Sequence, residues 1–583
     1  MRKKDWFFLI SIFIIAFFLR LFLLDEIPKG FHIDEVRVGY NAYTLLLTGK
    51  DENGNLLPLF YNSFSEYRPT GYFYSAVPFI PFFGLNEIMV RLPGVLYGTA
   101  TVILLFFFVV HLTEKKKMAF FAALFLAICP WHIILSRATS ETIGALFWTV
   151  LGLYLLFLFL DKKSKKKTFY LISSIISLIF SLFFYPSARI FVPLILLTLI
   201  KKRGNNLEKK TVIGIFFFFL IFSFFVLSKL SGNNNRFTQI AFYKNPKIPN
   251  QIESLIQGDG PKAVTRARIF HNKLVIYGQN LINQFISYLS PEFFITGEIK
   301  PQRYGFYSAQ LISYTQFLLF LSGIYFLRKM KHGRFFFLWL ILAILPAAVT
   351  YEDIPNIQRA VFMLPAVTIF SAQGIYFIQS QLNKRNGGLL FLFTVISIFE
   401  TALFLHLYFI HQPSYQPYFR NEKSKDLALY LLKIKDDYEK IIITNNPDSH
   451  YLYLAFFGRY NPFYIQNFSS EKNKPLWEFG PFVFTKETCP SENFKQLISQ
   501  GKFLFIDTGD CQKPEDKRLK LIKTFYYANG TKAYNVLEYG KKISGGGEIR
   551  TRVGMHPQGF RDLLDKPLLH PTLFIFAGVP GES

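Results

Sequence analysis

Residues 1–24 read MRKKDWFFLISIFIIAFFLRLFLL, a basic start followed by a long apolar run. The run from residue 6 to residue 24 has the length of a membrane-spanning helix, which needs about 20 mostly apolar residues. No small-residue cleavage site follows it, and many more apolar runs come after it. The pattern therefore predicts a span that is retained rather than a cleaved signal peptide.

Further apolar runs repeat this pattern along the chain. The sequence predicts about 11 membrane spans, at 6–24, 90–112, 118–135, 141–160, 168–185, 188–200, 211–230, 309–327, 334–350, 360–378 and 388–409. The apolar segment 72–83 is too short for a span and contains two prolines, so it predicts an interfacial or re-entrant piece. Only 18% of the 583 residues are charged, against about 25% in soluble proteins, and 70 are Phe. This composition excludes disorder and predicts a polytopic α-helical membrane protein.

The formal net charge of +26 raises the question of a nucleic-acid partner. However, 22 Lys and Arg and only four acids lie in alternate loops, at 1–5, 113–117, 161–167, 201–210, 328–334 and 379–387. Cytoplasmic loops of membrane proteins carry such an excess. The charge is therefore a topology signal, which excludes nucleic acid, predicts a cytoplasmic N-terminus in a cell membrane, and places the chain after residue 410 outside.

The outer side then carries the large polar segments. We predict a membrane module over 1–410, with a first outer loop at 25–89 and a large outer loop at 231–308. A small extracytoplasmic α/β domain is predicted over 411–540, from a helix-like start at Ser424–Leu432 and strand-like runs at Lys440–Thr444, Lys502–Asp507 and Tyr534–Leu537. The tail, 541–583, differs in composition, and no function is assigned to it.

The first outer loop is the richest candidate for chemistry. Residues 31–43 read FHIDEVRVGYNAY, and an amphipathic helix is predicted over 35–48, with Gly49 as its stop. Asp34 stands at the expected N-cap, so it either only caps the helix or also serves as a general base whose position the cap fixes. His32 either orients Asp34 or is a solvent-exposed loop residue.

A second polar motif follows in the same loop, where residues 65–71 read SEYRPTG. Arg68 is either an interfacial side chain at the membrane surface or a fork for a bound phosphate. Glu66 beside it is a further candidate.

The order of these features resembles the polyprenyl-phosphate-sugar-dependent glycosyltransferases of the GT-C fold, in the superfamily of protein O-mannosyltransferases and lipid A aminoarabinose transferases. The resemblance covers the layout of residues 1–410. It is carried by Asp34-Glu35 after the first span, Arg68-Pro69, Arg91-Leu92-Pro93, Ser136-Arg137-Ala138 followed by Glu141, and the stretch Arg359–Pro365.

The resemblance implies roles for several of these residues. Asp34 takes the position of the catalytic base, and Glu35 is its neighbour or an acceptor contact. Arg68 stands for the Lys of the family's Lys-Pro-Pro element, with Thr70 in place of the second Pro, and Arg359 is implied as a second phosphate ligand. Further candidates are His32, Glu66, Arg137, Glu141 and Arg189.

The chemistry of such a site can be stated without the family. A hydroxyl acceptor needs a carboxylate to take its proton, and a departing phosphate needs Arg or Lys to stabilise its charge. The chain has no Asp-x-Asp motif for a nucleotide sugar and a divalent ion, and no P-loop. We therefore predict a lipid-linked donor in the bilayer, a hydroxyl acceptor and no required cofactor or metal, although a divalent ion stays open.

The sequence favours an inverting glycosyltransferase that works on the outer face of the membrane. The alternative is a lipid-linked polysaccharide polymerase or flippase, which would place charges in the middle of spans. Glu400 is the clearest such charge. A structural or sensory membrane protein with a sugar-binding outer domain is a third hypothesis.

The three cysteines test the topology. Cys129 lies in an apolar span, whereas Cys489 and Cys511 lie in the region placed outside. An oxidising exterior permits a disulfide between these two, and the alternative is a pair of free thiols.

Overall fold

The computed structural model describes residues 2–63, 66–162, 164–200, 206–229, 239–307, 310–381, 387–444, 450–467, 476–493, 501–512 and 516–539. Residues 1–540 form one compact unit. The tail, 541–583, lies outside the described residues.

The described part of the chain is mainly helical. Its α-helices are Lys3–Leu21, Ile33–Thr48, Gly71–Ala76, Ile80–Phe83, Glu87–Thr113, Lys116–Ile128, Pro130–Arg137, Glu141–Phe159, Lys167–Leu182, Ser187–Ile200, Asn206–Lys229, Lys247–Asp259, Val264–Phe270, Lys273–Ser287, Tyr314–Tyr325, Gly333–Ala348, Leu364–Gln381, Gly387–His406, Ser424–Ile434, His450–Phe457 and Pro462–Asn467.

Each predicted span overlaps one or more of these helices. Five helical stretches of the described residues are long and apolar enough to cross a membrane: Glu87–Thr113, Glu141–Phe159, Glu208–Val226, Val361–Gln381 and Phe391–Ser414. The helices Lys116–Ile128 and Pro130–Arg137 meet at 53° and make a sixth if they form one broken span. The fold is thus a helical membrane protein, and the total of about 11 spans stays a prediction.

Glycines allow two of the membrane helices to pack backbone to backbone. A Cβ at Gly323 would lie 1.8 Å from the carbonyl oxygen of Phe370, and one at Gly374 would lie 2.1 Å from that of Leu319. The helices Tyr314–Tyr325 and Leu364–Gln381 therefore touch where neither carries a side chain, which is typical of helix pairs in membranes. Phe217 and Phe224 of another predicted span are instead exposed, as expected for side chains that face lipid.

A six-stranded mixed sheet lies in the region predicted as an α/β domain. Its strands follow the order Leu476–Phe479, Phe482–Thr485, Lys440–Thr444, Phe503–Thr508, Lys532–Tyr539, Leu519–Tyr526. The strand Lys440–Thr444 pairs in parallel with both of its neighbours, and the other pairings are antiparallel. The predicted helix and three predicted strands are found within two residues of their bounds. The domain boundary near 410 stays a prediction.

A separate two-stranded hairpin, Phe60–Ser63 with Glu66–Pro69, lies in the first outer loop. Cys489 and Cys511 form a disulfide near the six-stranded sheet, while Cys129 is a buried free cysteine.

The C-terminal region holds the helix Ile33–Thr48 against the membrane helices. A Cβ at Gly39 would lie 2.5 Å from the Phe456 ring and 2.6 Å from Val90, so the helix packs closely against both residues at this point. The Tyr453 hydroxyl donates to the carbonyl of Phe31 at 2.7 Å. The start of this helix, where Asp34 lies, is therefore fixed by two distant parts of the chain.

Candidate active site

The helix that carries the Asp-Glu pair begins at Ile33, two residues earlier than predicted. His32 is its N-cap, since its Nδ1 accepts the Asp34 backbone N–H at 3.1 Å, and Glu35 Oε2 accepts the His32 backbone N–H at 3.1 Å. The prediction that Asp34 caps the helix is therefore wrong, because the imidazole fills that role. Gly49 ends the helix as predicted, with a φ of 68°.

Asp34 is instead held between two arginines from different loops. Arg68, on the strand Glu66–Pro69, donates from Nη1 to Oδ1 at 3.0 Å. Arg303, in the turn Gln302–Tyr304, donates from Nη1 to Oδ2 at 2.7 Å. Burial alone would raise the pKa of Asp34, but the two guanidinium groups hold that pKa well below its usual value. The carboxylate is therefore ionised and paired.

Arg303 was not among the residues that the sequence predicted. It belongs to the large outer loop and precedes the aromatic stretch 304–307, which reads as an interfacial belt. Its Nη2 also donates to Gln358 Oε1 at 3.1 Å, and Gln358 donates in turn to the Tyr304 hydroxyl at 2.8 Å. The Arg303 side chain is thus oriented toward Asp34 by a second set of contacts.

Glu35 lies in a buried ion cluster beside Asp34. Arg91 donates to Glu35 from Nε at 3.0 Å and from Nη2 at 3.1 Å, and Arg420 donates from Nη2 at 2.5 Å. The Thr139 hydroxyl donates at 2.9 Å to Oε1, the oxygen that also accepts from Arg91 Nε. Burial would raise the pKa of Glu35, yet the attraction of Arg91 and Arg420 outweighs it and lowers the pKa to about 2.

This cluster changes the interpretation of Glu35. The Glu35 side chain is 3% exposed, and both of its oxygens already accept hydrogen bonds. Such a carboxylate fixes the start of the helix and with it Asp34. The geometry therefore gives Glu35 a positioning role, and not the implied contact with an acceptor.

Arg420 joins the C-terminal region to the site and was also missed from the sequence. Besides Glu35, it donates from Nε to the carbonyl of Lys29 at 3.1 Å and from Nη1 to that of Arg303 at 3.2 Å. It therefore links the first outer loop, the large outer loop and the segment after the last predicted span.

The space around Asp34 is small. A cavity of about 10 Å³ is lined by Asp34, Glu141, Arg303 and Arg420, among others. Ligand pockets for small molecules have volumes of about 300–1,000 Å³. This cavity is therefore too small to hold a sugar, while the Asp34 side chain itself is 17% exposed.

His32 faces the same cavity as a neutral ring. Burial, with a contribution from Arg303, lowers the pKa of His32 to about 3. Because its Nδ1 accepts the backbone N–H of Asp34, the ring proton lies on Nε2. The same Nδ1 lies 3.7 Å from Asp34 Oδ2, so His32 helps to orient Asp34 through the helix cap.

The described contacts of Arg359 are with residues outside this site. Its Nη1 donates to the Thr350 hydroxyl at 2.9 Å and to the carbonyl of Glu352 at 2.5 Å. Its Nη2 lies 3.9 Å from the Glu352 carboxylate. The structure therefore does not bring it to Asp34 beside Arg68, as the predicted phosphate pair requires, and a local role at the mouth of the helix Leu364–Gln381 fits its contacts.

The remaining predicted site residues are Arg137, Arg189 and Glu66. Arg137 donates to the carbonyls of Leu19, Phe22, Leu23 and Ile27, so in this structure it secures the end of the first helix. Arg189 donates to the carbonyl of Leu182 at 3.2 Å and lies 5.2 Å from the Phe60 ring. The Glu66 side chain lies outside the described residues.

Among the described residues, no group of three or more His, Cys, Asp or Glu side chains could hold a metal ion. The expectation that no cofactor is required stays a prediction.

Comparison with known proteins indicates the class of enzyme. Residues 10–234 match the family model for dolichyl-phosphate-mannose-protein mannosyltransferase. No curated protein sequence matches the chain.

Several solved structures are similar in fold. ArnT from Cupriavidus metallidurans in the apo state is 11% identical with a TM-score of 0.53, and 93% of this chain and 99% of ArnT are covered. The structure of the same protein bound to undecaprenyl phosphate is also 11% identical with a TM-score of 0.53. The match covers 94% of this chain and 100% of that protein. The oligosaccharyltransferase AglB from Archaeoglobus fulgidus, in complex with an inhibitory peptide and a dolichol-phosphate, is 12% identical with a TM-score of 0.48. The match covers 78% of this chain and 64% of AglB.

These findings confirm the predicted resemblance. The chain has the fold of the GT-C glycosyltransferase ArnT, and residues 10–234 match the mannosyltransferase family model. It is an integral membrane protein and an enzyme of the glycosyltransferase class.

Proposed function

We propose that the protein is an inverting glycosyltransferase that moves a sugar from a polyprenyl phosphate to a hydroxyl acceptor at the outer face of the membrane. The observation that carries the proposal is the placement of Asp34 between Arg68 and Arg303, directly after the first predicted span. The similar ArnT structure that binds undecaprenyl phosphate supports a polyprenyl-phosphate donor. The sugar and the acceptor are left open.

The proposed step is a single displacement. Asp34 takes the proton of the acceptor hydroxyl, whose oxygen forms a bond to the anomeric carbon from the face opposite the phosphate. The bond between that carbon and the phosphate oxygen breaks, and the electron pair leaves with the polyprenyl phosphate. Arg68 and Arg303 stabilise the negative charge that develops on this leaving group. The step inverts the anomeric configuration and uses no metal ion.

The same two arginines now pair with Asp34, which suggests how the base is released. A carboxylate whose pKa lies far below neutrality accepts a proton poorly. When a phosphate enters and takes over the hydrogen bonds of Arg68 and Arg303, the pKa of Asp34 rises because its charge partners have turned away. The two ion pairs agree with this sequence, since Arg68 and Arg303 must leave Asp34 before they can bind the phosphate. Glu141, which lines the same cavity as Asp34, is proposed to contact a hydroxyl of the sugar or acceptor.

Arginine substitutions test the phosphate site. Arg68→Ala and Arg303→Ala should each weaken binding of the polyprenyl-phosphate donor about 10-fold or more, since a hydrogen bond to a charged group contributes roughly 1.5–3 kcal/mol. Lysine at either position should lose less, because it keeps the charge without the planar fork. The measurement is the dissociation constant of purified protein for polyprenyl phosphate.

The matched control is Arg518→Ala, which removes an arginine that is 53% exposed and pairs with Asp516 in the C-terminal region. It should bind the donor like the parent. If both site variants also bind like the parent, Arg68 and Arg303 serve only as partners of Asp34.

We further propose that the N-terminus lies in the cytoplasm and that residues 411–540 lie outside. A cysteine at Tyr526, which is 52% exposed, should react with a membrane-impermeant thiol reagent in intact cells. A cysteine at Lys331, which is 50% exposed in a predicted inner loop, should react only after the membrane is opened. The native cysteines give little background, because Cys129 is buried and the other two form a disulfide. The opposite labelling pattern would contradict the orientation and the outer placement of Asp34.

The alternative of a polymerase or flippase loses its main support. Glu400, the charge in the last predicted span, accepts the backbone N–H of Thr315 at 3.2 Å. This bond lies at the N-terminal end of the helix Tyr314–Tyr325. Glu400 therefore satisfies a helix end, which accounts for a buried carboxylate without a transport role.

A further inference from the structure

The large outer loop contains three helices that bury few of their residues. We call residues 240–287 the outer segment. Its helices are Lys247–Asp259, Val264–Phe270 and Lys273–Ser287, and together they bury two residues, Ile248 and Ile276. Packing accounts for Ile276, Leu281 and Phe285 of the third helix, but it leaves most apolar side chains of the three helices uncovered.

Their apolar side chains are exposed instead. Leu274 is 85% exposed, and six others are 44–59% exposed: Ile256, Val264, Ile269, Phe270, Ile282 and Ile286. An apolar groove of about 780 Å³ runs between the first two helices. Exposed apolar surface of this extent marks an interaction site with protein or membrane.

Contacts at the start of the outer segment place it beside the outer end of a predicted span. The backbone N–H of Phe242 donates to the carbonyl of Val349 at 2.9 Å, and that of Tyr351 donates to the carbonyl of Ile240 at 2.9 Å. Val349 directly follows the apolar helix Gly333–Ala348. The Tyr277 hydroxyl donates to the carbonyl of Tyr243 at 3.2 Å, which ties the third helix to the same level. The outer segment is therefore attached at the height where the predicted span leaves the membrane.

The charge of the outer segment points to an anionic partner. It carries six exposed cations against two acids, Glu253 and Asp259; the cations are Lys244, Lys247, Lys262, Arg266, Arg268 and Lys273. Asp259 is already paired with His271 at 3.1 Å. The positive-inside rule puts such an excess on the cytoplasmic side, so a basic segment on the proposed outer side needs another explanation.

We propose that the outer segment docks on the outer leaflet of the membrane and recognises anionic lipid. Its apolar side chains enter the boundary between headgroups and acyl chains, about 5–10 Å deep, as amphipathic helices rich in Lys and Arg do. Its cations contact lipid phosphates. This surface is separate from the arginines around Asp34, and its docking does not depend on the proposed transfer reaction.

The test reads the depth of one side chain in the full-length protein. Leu274→Cys is labelled with an environment-sensitive fluorophore, and the protein is placed in vesicles that contain nitroxide-bearing lipids. The native cysteines react little with the label, because one is buried and the other two form a disulfide. Tyr526→Cys, 52% exposed on the sheet, is the control. We expect strong quenching at position 274 in vesicles of phosphatidylglycerol and phosphatidylcholine in equal parts, much less in pure phosphatidylcholine, and none at position 526.

Charge-removing variants test the lipid class. Lys262→Gln, Arg266→Gln and Arg268→Gln, made in the Leu274→Cys protein, should each lower the ratio of docked to undocked label about fivefold. Unchanged thermal unfolding shows that each variant is folded. Quenching at 274 no greater than at 526 in both vesicles would overturn the docking and leave the apolar face for a protein partner. Equal quenching in both vesicles, insensitive to the three variants, would overturn the recognition of anionic lipid.

Discussion

Replacing Asp34 with asparagine should lower the rate of sugar transfer by about 10²–10⁴-fold, the range for loss of a general acid or base. The amide keeps the volume of the side chain and can still accept a hydrogen bond from Arg68 or Arg303, but it cannot take the proton of the acceptor hydroxyl. His32 and not Asp34 caps the helix, so the substitution leaves the cap in place. The measurement is turnover of a labelled donor by protein that is inserted and has an unchanged unfolding temperature.

The matched control is Asp426→Asn. Asp426 lies in the helix Ser424–Ile434, is 49% exposed and pairs with Lys423, which precedes that helix. Its turnover should equal that of the parent. Near-parental turnover by Asp34→Asn, in protein that binds the donor normally, would remove Asp34 from the reaction.

Replacing Glu35 with alanine should destabilise the folded protein by about 3–5 kcal/mol, because it leaves Arg91 and Arg420 buried without their counter-ion. The Arg91 and Arg420 side chains are 1% and 3% exposed, so water cannot replace the lost carboxylate. Unfolding in detergent by heat or denaturant measures the loss. Transfer should fall as well, since the start of the helix Ile33–Thr48 is no longer fixed.

Glu478→Ala provides the comparison for that prediction. Glu478 also pairs with a cation, Lys440, but its side chain is 54% exposed, and such surface pairs contribute about 0–1 kcal/mol. A Glu35→Ala protein as stable as Glu478→Ala, yet inactive, would show that Glu35 contacts substrate and does not merely position Asp34.

The elements that the sequence predicted well are those set by local pattern. The apolar helices that overlap the predicted spans follow from the apolar runs. The strand Lys440–Thr444 has the predicted bounds because it alternates little and is buried on both faces. The helix stop at Gly49 follows from the left-handed backbone that glycine adopts there. Asp34 was a candidate base from its position at the start of the predicted helix, and the resemblance to a family motif favoured that role over capping alone.

The missed residues share a different property. Arg303 lies 269 positions from Asp34, and Arg420 lies 385 positions from Glu35, so their roles depend on how the outer loops meet. The sequence around each reads as an ordinary aromatic or polar loop. Arg359, by contrast, has a motif-like setting but bonds locally to Thr350 and Glu352. Local pattern cannot separate these cases, because an arginine serves equally as anchor, helix-end partner or phosphate ligand.

The release of polyprenyl phosphate tests the proposed transfer most directly. Membrane fractions that contain the parent protein or Asp34→Asn at equal levels are given a series of radiolabelled polyprenyl-phosphate sugars, with nucleotide sugars in a parallel series. We expect the parent to consume one lipid-linked donor, release free polyprenyl phosphate and pass the label to an acceptor, while Asp34→Asn does so about 10²–10⁴-fold more slowly. Equal consumption by both proteins, or direct consumption of a nucleotide sugar by the purified parent, would contradict a lipid-linked donor activated at Asp34.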